Sequence, residues 1–530
     1  MRGNLQESNG RKGMTGCRQL NALLAAASLP TVAGGEGRMV SRVTADSRLV
    51  VPGTLFVAVA GDRADGHAFL ADAVRRGAVA VVVERPVAGL ALPAVTVANG
   101  RVALGRLAAA FHGHPASSLR VVGITGTNGK TTVSYLLEGM VRAAGGVPAV
   151  LGTVEYRCGD YCEPAPLTTP GPERLQELVA AMRDRGATHL LMEVSSHAMD
   201  QDRLAGMLCD VAVFTNLSRD HLDYHGDMER YYLAKRRLFV DYLKEEGRAV
   251  ICLGGGDAGW SRRLAEETAT AWRDADLQRR RMFLCGPEGD VRPRTAALTV
   301  NGSILSIETG GETIAVDSPL IGAFNAENLL TAAGVGVALG LSAEVIGRGL
   351  SSVATVPGRL QRVLPECEPP VFVDYAHTPD ALVKVLATLG DLAPGRLLVV
   401  CGCGGDRDRG KRPQMGRAAA ENADVVVLTS DNPRSECPAA ILKEMEVGVV
   451  AAGLGRQRLE LGLAGGGGGF YDIVESRRTA IRLTVGGARP GDVVLIAGKG
   501  HEDYQIIGSR RLAFDDRVEA TAALRARKAA

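Results

Sequence analysis

The run L-R-V-V-G-I-T-G-T-N-G-K-T-T, residues 119 to 132, decides how the rest of the chain is read. Leu119 to Ile124 has the pattern of a buried strand, and Thr132 to Ala144 follows with helical spacing. Strand, glycine-rich loop and helix in that order open an α/β domain. In the loop itself, Gly126, Thr127, Asn128, Gly129, Lys130, Thr131 and Thr132, the glycines let backbone N–H groups turn toward phosphate oxygens. The helix adds its positive N-terminal end. Lys130 suits the β and γ phosphates of ATP, and the Thr131 hydroxyl suits Mg²⁺. The spacing departs from the usual phosphate loop: five residues, not four, separate Gly123 from Gly129.

Outward from this loop the chain repeats the same theme. With 530 residues, two to four domains are expected. From about residue 40 to 118, short strand-like runs alternate with small helical patterns, an N-terminal α/β domain closed by a linker at His114-Pro115 and Ser117-Ser118. Residues 119 to 356 form the central domain. From 357 to 530 the runs P-V-F-V-D-Y, R-L-L-V-V-C-G, D-V-V-V-L-T and D-V-V-L-I-A-G-K-G each end in polar, glycine-rich turns, where ligands of such sheets gather. Residues 1 to 13 read as a disordered extension, leaving Met14 as an alternative start. The apolar stretch Leu20 to Pro30 reads as an amphipathic helix with Thr15 as its N-cap, not as a signal peptide.

Composition narrows the function. Sixty-one basic and 59 acidic side chains give +2, which argues against a generic nucleic-acid binder. No apolar run approaches the ~18 residues of a membrane span, so a cytoplasmic enzyme is expected. The ten cysteines show no paired zinc spacing and read as reduced thiols.

Polar groups at other strand ends carry the chemistry. Glu193, in E-V-S-S-H, is placed to serve as a Mg²⁺ ligand across from the phosphate loop. His221, in N-L-S-R-D-H-L-D-Y-H, completes a metal set, although Mg²⁺ normally takes oxygen. In the third domain, G-C-G-G-D-R-D-R-G-K-R-P (402 to 413), D-N-P-R (431 to 434) and G-K-G-H-E (498 to 502) combine Arg, Glu and glycine backbone. That combination suits a small zwitterion: guanidinium for carboxylate, and carboxylate for ammonium.

Together these motifs resemble the Mur ligases of bacterial peptidoglycan synthesis. The likeness runs from D-S-R at 46 to 48 to F-D-D-R at 514 to 517, through A-F-N-A-E-N and D-Y-A-H-T-P-D. The resemblance implies three domains: a small N-terminal α/β domain, a central ATPase with a mostly parallel sheet, and a C-terminal Rossmann-like domain. It implies a monomer that uses ATP and Mg²⁺ to join meso-diaminopimelate to UDP-MurNAc-L-Ala-D-Glu. It puts nucleotide-sugar contacts at Ala45, Ser47, Asp62, Arg63 and Ala64, and further substrate contacts at Thr168, Thr169, Ser195, Gln201 and Arg203. Asn328, Asp374 and His377 fall near adenine and ribose. Lys235 matches a lysine carried as a carbamate (N6-carboxylysine), a metal ligand beside Thr131, Glu193 and His221. Arg434 is the expected selector of the second carboxylate of diaminopimelate, with Arg407, Asp431, Asn432, Pro433, Gly498 and Glu502 around it. The stretches near 253 to 285 and 455 to 469 look like insertions in the family pattern.

Overall fold

The computed structural model describes residues 16–61, 64–254, 258–465 and 467–529. The expected extension at 1 to 13, the start at Met14, the Thr15 cap, Asp62 and Arg63 lie outside the described residues. The described residues pack as two compact units, Met1–Lys130 with Val141–Leu284, and Thr131–Met140 with Cys285–Ala530.

In the first unit, strands Arg42–Thr44, Thr54–Val57, Ala78–Val83 and Ala94–Thr96 form a parallel sheet in chain order. Helix Gly100–Phe111 begins where the Asn99 side chain accepts the Val102 amide, and Leu104 and Leu107 bury its inner face. Helix Leu20–Ala26 ends earlier than its apolar run, and Gln19 caps it. The expected linker is a packed 3-10 turn, Pro115–Ser118, whose Ala116 joins the central core.

The second sheet of this unit places Pro148–Leu151, His189–Glu193, Arg120–Thr125, Cys209–Phe214 and Leu243–Cys252 side by side and parallel. An antiparallel hairpin, Glu155–Cys158 and Tyr161–Pro164, extends its edge. Leu190 to Met192 and Val211 to Phe214 are fully buried, as expected of strands covered on both faces. This order sets the ends of three neighbouring strands together, at Glu193, Thr125 and Phe214. The suspected insertion after 253 is built into the same core. Helix Ala258–Asp274 contributes Leu264 and Trp272, and the Trp272 indole donates to Phe239 O at 3.0 Å.

The second unit holds an antiparallel meander, Val291–Thr299, Gly302–Thr309 and Glu312–Ser318. Its larger sheet runs Gln361–Val363, Val371–Asp374, Val493–Ala497, Leu397–Cys401, Val425–Leu428, Phe470–Ile473 and Gly455–Arg456. All neighbours in it are parallel except the first pair. The motifs of the third domain therefore leave the carboxyl ends of adjacent strands. The cysteines form no disulfide among the described residues. No described helix is long and apolar enough to cross a membrane.

Candidate active site

The phosphate loop is wound tightly against the strand ends beside it. Gly126 has φ +147° and Gly129 φ +86°, conformations that L side chains avoid. A Cβ on Gly126 would also stand 1.9 Å from Thr215 Oγ1, so the loop needs glycine twice over. Thr127 N donates to Asn216 O at 2.9 Å and Asn128 N to Asn216 Oδ1 at 3.0 Å. The Thr127 hydroxyl lies 3.1 Å from Tyr231 OH. Helix Lys130–Ala143 follows, with Thr131 and Thr132 buried in its first turn.

Two lysines converge on one carbonyl. Lys130 Nζ and Lys235 Nζ each donate to Gly126 O at 2.8 Å. Lys235 lies on helix Met228–Val240 and is 2% exposed. Burial, with Lys130 nearby, drives its amine well below the ordinary lysine range. His221 begins helix Leu222–His225 in a left-handed conformation, its ring 5.1 Å from that of His197. Its side chain keeps 47% exposure, and partial desolvation lowers its imidazole against the opposing pull of Asp220, so it is neutral near pH 7.

Glu193 pairs in register with Ile124, beside the strand that feeds the loop. Its carboxylate accepts Thr153 N at 3.1 Å and Thr153 Oγ1 at 2.8 Å. From there a hydrogen-bonded chain joins the expected substrate residues. Thr153 Oγ1 is 3.2 Å from Thr168 Oγ1, and Thr169 Oγ1 donates to Glu193 O at 2.8 Å. Ser195 N donates to Thr169 Oγ1 at 3.0 Å, and Arg203 Nη1 donates to Thr169 O at 2.7 Å. Gln201 Oε1 accepts from Arg203 at 2.7 Å. Thr153 carries no motif signal, and only the fold brings it here; Tyr224, which receives Gln201 Nε2 at 3.2 Å, lies in the quoted run around His221 but was not singled out.

In the N-terminal sheet region, Ala45 N donates to Glu173 Oε1 at 2.7 Å, so this amide is tied to the central domain's helix Pro172–Asp184. Ser47 opens a 3-10 turn capped by Asp46, and Ala64 O receives Gly61 N at 3.1 Å.

The second unit assembles the other motifs. Asp431, Asn432 and Pro433 are buried and Arg434 is half-buried, with φ +50°. Arg434 is held there by three bonds: its N to Ile506 O at 3.1 Å, Gly508 N to its O at 2.7 Å, and Nη1 to Gly405 O at 2.7 Å. Asn432 Nδ2 donates to Glu502 Oε2 at 2.9 Å. Gly498, with φ +117°, has no room for a Cβ, which would fall 2.7 Å from Asp431 Oδ2. Arg407 stays exposed on its loop. Asn328 is buried and donates to Asn325 Oδ1 at 3.3 Å. Asp374 accepts Leu360 N at 2.7 Å and Ala376 N at 2.8 Å, shaping the turn on which His377 is exposed.

Arg412, fully buried, braces both arginine loops. It donates to Glu436 at 2.7 Å and 2.9 Å and to Glu444 at 2.9 Å, while Glu436 receives Asp406 N at 2.6 Å. Its loss leaves Glu444 with Arg409 and Glu436 with the Asp406 amide but takes away the buried cation that joins them, so Arg412→Met should lower the urea unfolding midpoint. A urea titration checks this; an unshifted midpoint contradicts the bracing role.

Comparison with known proteins agrees with this arrangement. Three family profiles match in order: "Mur ligase family, catalytic domain" at 39–112, "Mur ligase middle domain" at 124–336, and "Mur ligase, glutamate ligase domain" at 358–500. The chain is 46% identical over 503 residues to a UDP-N-acetylmuramoyl-L-alanyl-D-glutamate–2,6-diaminopimelate ligase of Geobacter metallireducens, covering 94% of this chain and 96% of the relative. A ligase of the same name from Geobacillus thermodenitrificans is 44% identical, covering 91% and 94%. A solved structure carrying that name superimposes with TM-score 0.69 at 33% identity, over 96% of this chain and 99% of that one. A folylpolyglutamate synthase of Mycobacterium tuberculosis, at 20% identity and TM-score 0.56, shares the fold alone. By its three ordered domain matches and its near full-length relatives, the chain belongs to the Mur ligase family.

Proposed function

We propose that the chain is an ATP-dependent ligase, forming ADP and phosphate, that joins meso-2,6-diaminopimelate to the D-glutamate γ-carboxylate of UDP-MurNAc-L-Ala-D-Glu. The reaction belongs to cytoplasmic peptidoglycan precursor synthesis. The observation that carries the reading is one chain holding both a phosphate loop and an Arg434 guanidinium fixed by Gly405 O beside Asp431, Asn432 and Glu502. Domains at 14–118, 119–356 and 357–530 divide the labour: nucleotide-sugar end, ATP, and incoming amino acid. One chain supplies every group, so a monomer suffices.

A γ-carboxylate oxygen attacks the γ phosphorus of ATP, the bond to ADP breaks, and an acyl phosphate results. Backbone N–H groups of the loop other than those of Thr127 and Asn128, which Asn216 takes, and the Lys130 ammonium hold the phosphates in line, and charge neutralisation supplies most of the acceleration. The amine of diaminopimelate then attacks the acyl carbon, and phosphate leaves from the tetrahedral intermediate. Thr168, Thr169, Ser195, Gln201 and Arg203 orient the acceptor, and Asn328, Asp374 and His377 lie toward adenine and ribose.

Among the described residues no three His, Cys, Asp or Glu side chains cluster as a metal centre. The donor chemistry fits Mg²⁺ by another route: Thr131 and Glu193 offer oxygens, and the neutral His221 adds a nitrogen. Lys235, whose amine burial pushes toward the uncharged form, would add CO₂ with release of a proton, and the carbamate would then offer an oxygen ligand. When bound, Mg²⁺ neutralises phosphate charge.

Phosphate release measured with each substrate omitted in turn tests the proposal. Release should require both the muramyl dipeptide and diaminopimelate. ATP turnover indifferent to the amino acid contradicts it, and points to a nucleotide-driven switch.

A further inference from the structure

Lys499 lies in G-K-G-H-E, and the reaction above makes no use of it. Its side chain is wholly enclosed, at 0% exposure. Its Nζ donates to Asn432 Oδ1 at 2.9 Å and to Tyr504 O at 2.7 Å, and it pairs with Asp431 Oδ1 at 3.2 Å and Glu502 Oε2 at 3.5 Å. Asp431 Oδ1 accepts no directed hydrogen bond among the described residues, so its tie to the ammonium is electrostatic. A buried ammonium is tolerated only where anions surround it. Here two carboxylates, those of Asp431 and Glu502, meet at one ammonium, and Asp431 lies against the Gly498 backbone.

Resting on the ligase reading, we infer that Lys499 is the positioning residue for amino-acid recognition: it locks Asp431, Asn432 and Glu502 in the arrangement that presents the Glu502 carboxylate to the substrate ammonium. Lys499 itself touches no substrate. Two carboxylates drawn to one Nζ would repel each other without it, and Asn432 would lose the bond that sets its amide toward Glu502. The same ammonium ties Tyr504 O, at the start of the hairpin that grips Arg434 through Ile506 and Gly508. One buried cation therefore sets both the ammonium end and the carboxylate end of the pocket.

The test uses the full chain with Lys499→Met, a near-isosteric loss of charge, and measures KM separately for diaminopimelate, ATP and the muramyl dipeptide. KM for diaminopimelate should rise about twentyfold or more, with the other two within about twofold and kcat falling less than KM rises. Equal changes in all three constants, or an unchanged KM for the amino acid, overturn the inference. If Lys499→Met does not fold, Lys499→Arg, which keeps the charge but displaces it, must show the same split. Failure of both variants to fold makes Lys499 a stability residue only, and also overturns the inference. Failure of the ligase reading is told apart by the wild-type chain, which would then release no phosphate in response to diaminopimelate.

Discussion

Lys235→Ala is expected to lower ligation about a hundredfold or more, and short carboxylates such as acetate are expected to restore part of it. An ammonium enclosed at 2% exposure, against the same carbonyl as Lys130, is an unfavourable charge. Burial favours loss of its proton, and the neutral amine is the nucleophile that attacks the carbon of CO₂. The resulting anion converts a like-charge contact into an opposite-charge one beside Lys130. Small anions can occupy the space left by alanine and supply the missing oxygen. Depleting bicarbonate from the wild-type enzyme should lower activity in the same direction. If no anion restores the variant and bicarbonate has no effect, Lys235 acts only through its bond to Gly126 O and the carbamate is wrong.

Arg434→Ala should raise KM for meso-diaminopimelate about a hundredfold while KM for ATP stays near the wild-type value. The left-handed backbone at Arg434 is held by Ile506 and Gly508, and its guanidinium is aimed by Gly405 O. That single bond orients the fork without using up its five donors, which suit the second carboxylate of diaminopimelate. Arg434→Lys should recover little, because a point charge cannot reproduce the bidentate contact. An unchanged KM in Arg434→Ala removes this residue from substrate selection.

The parts of the site that could be read from sequence share one physical feature: they follow a strand. Glycine, a turn and a polar residue after an apolar run announce themselves, so the loop at 126 to 132, Glu193 and D-N-P-R were visible from local pattern. Lys235 was not. It sits on the helix Met228–Val240 among charged neighbours and reads as a solvated lysine; only the packing of that helix beneath the loop buries it. Only family resemblance pointed to it. Thr153 was missed because its role comes from a contact with Glu193 forty residues away. Lys499 was passed over inside a quoted motif, because a lysine between glycines gives no sign of being enclosed. The hairpin Tyr504–Ile507 with Arg510–Ala513 also escaped, although it fixes Arg434. The segment after 253 was read only as an insertion in the family pattern, and its contribution of Leu264 and Trp272 to the central core was not visible.

The account's central claim is that this pocket takes the second carboxylate of diaminopimelate. The most direct measurement is an amino-acid competition assay: product formation from UDP-MurNAc-L-Ala-D-Glu and ATP with meso-diaminopimelate, its stereoisomers and L-lysine supplied together. The account predicts a product carrying meso-diaminopimelate almost exclusively. Equal or preferred incorporation of L-lysine would contradict it.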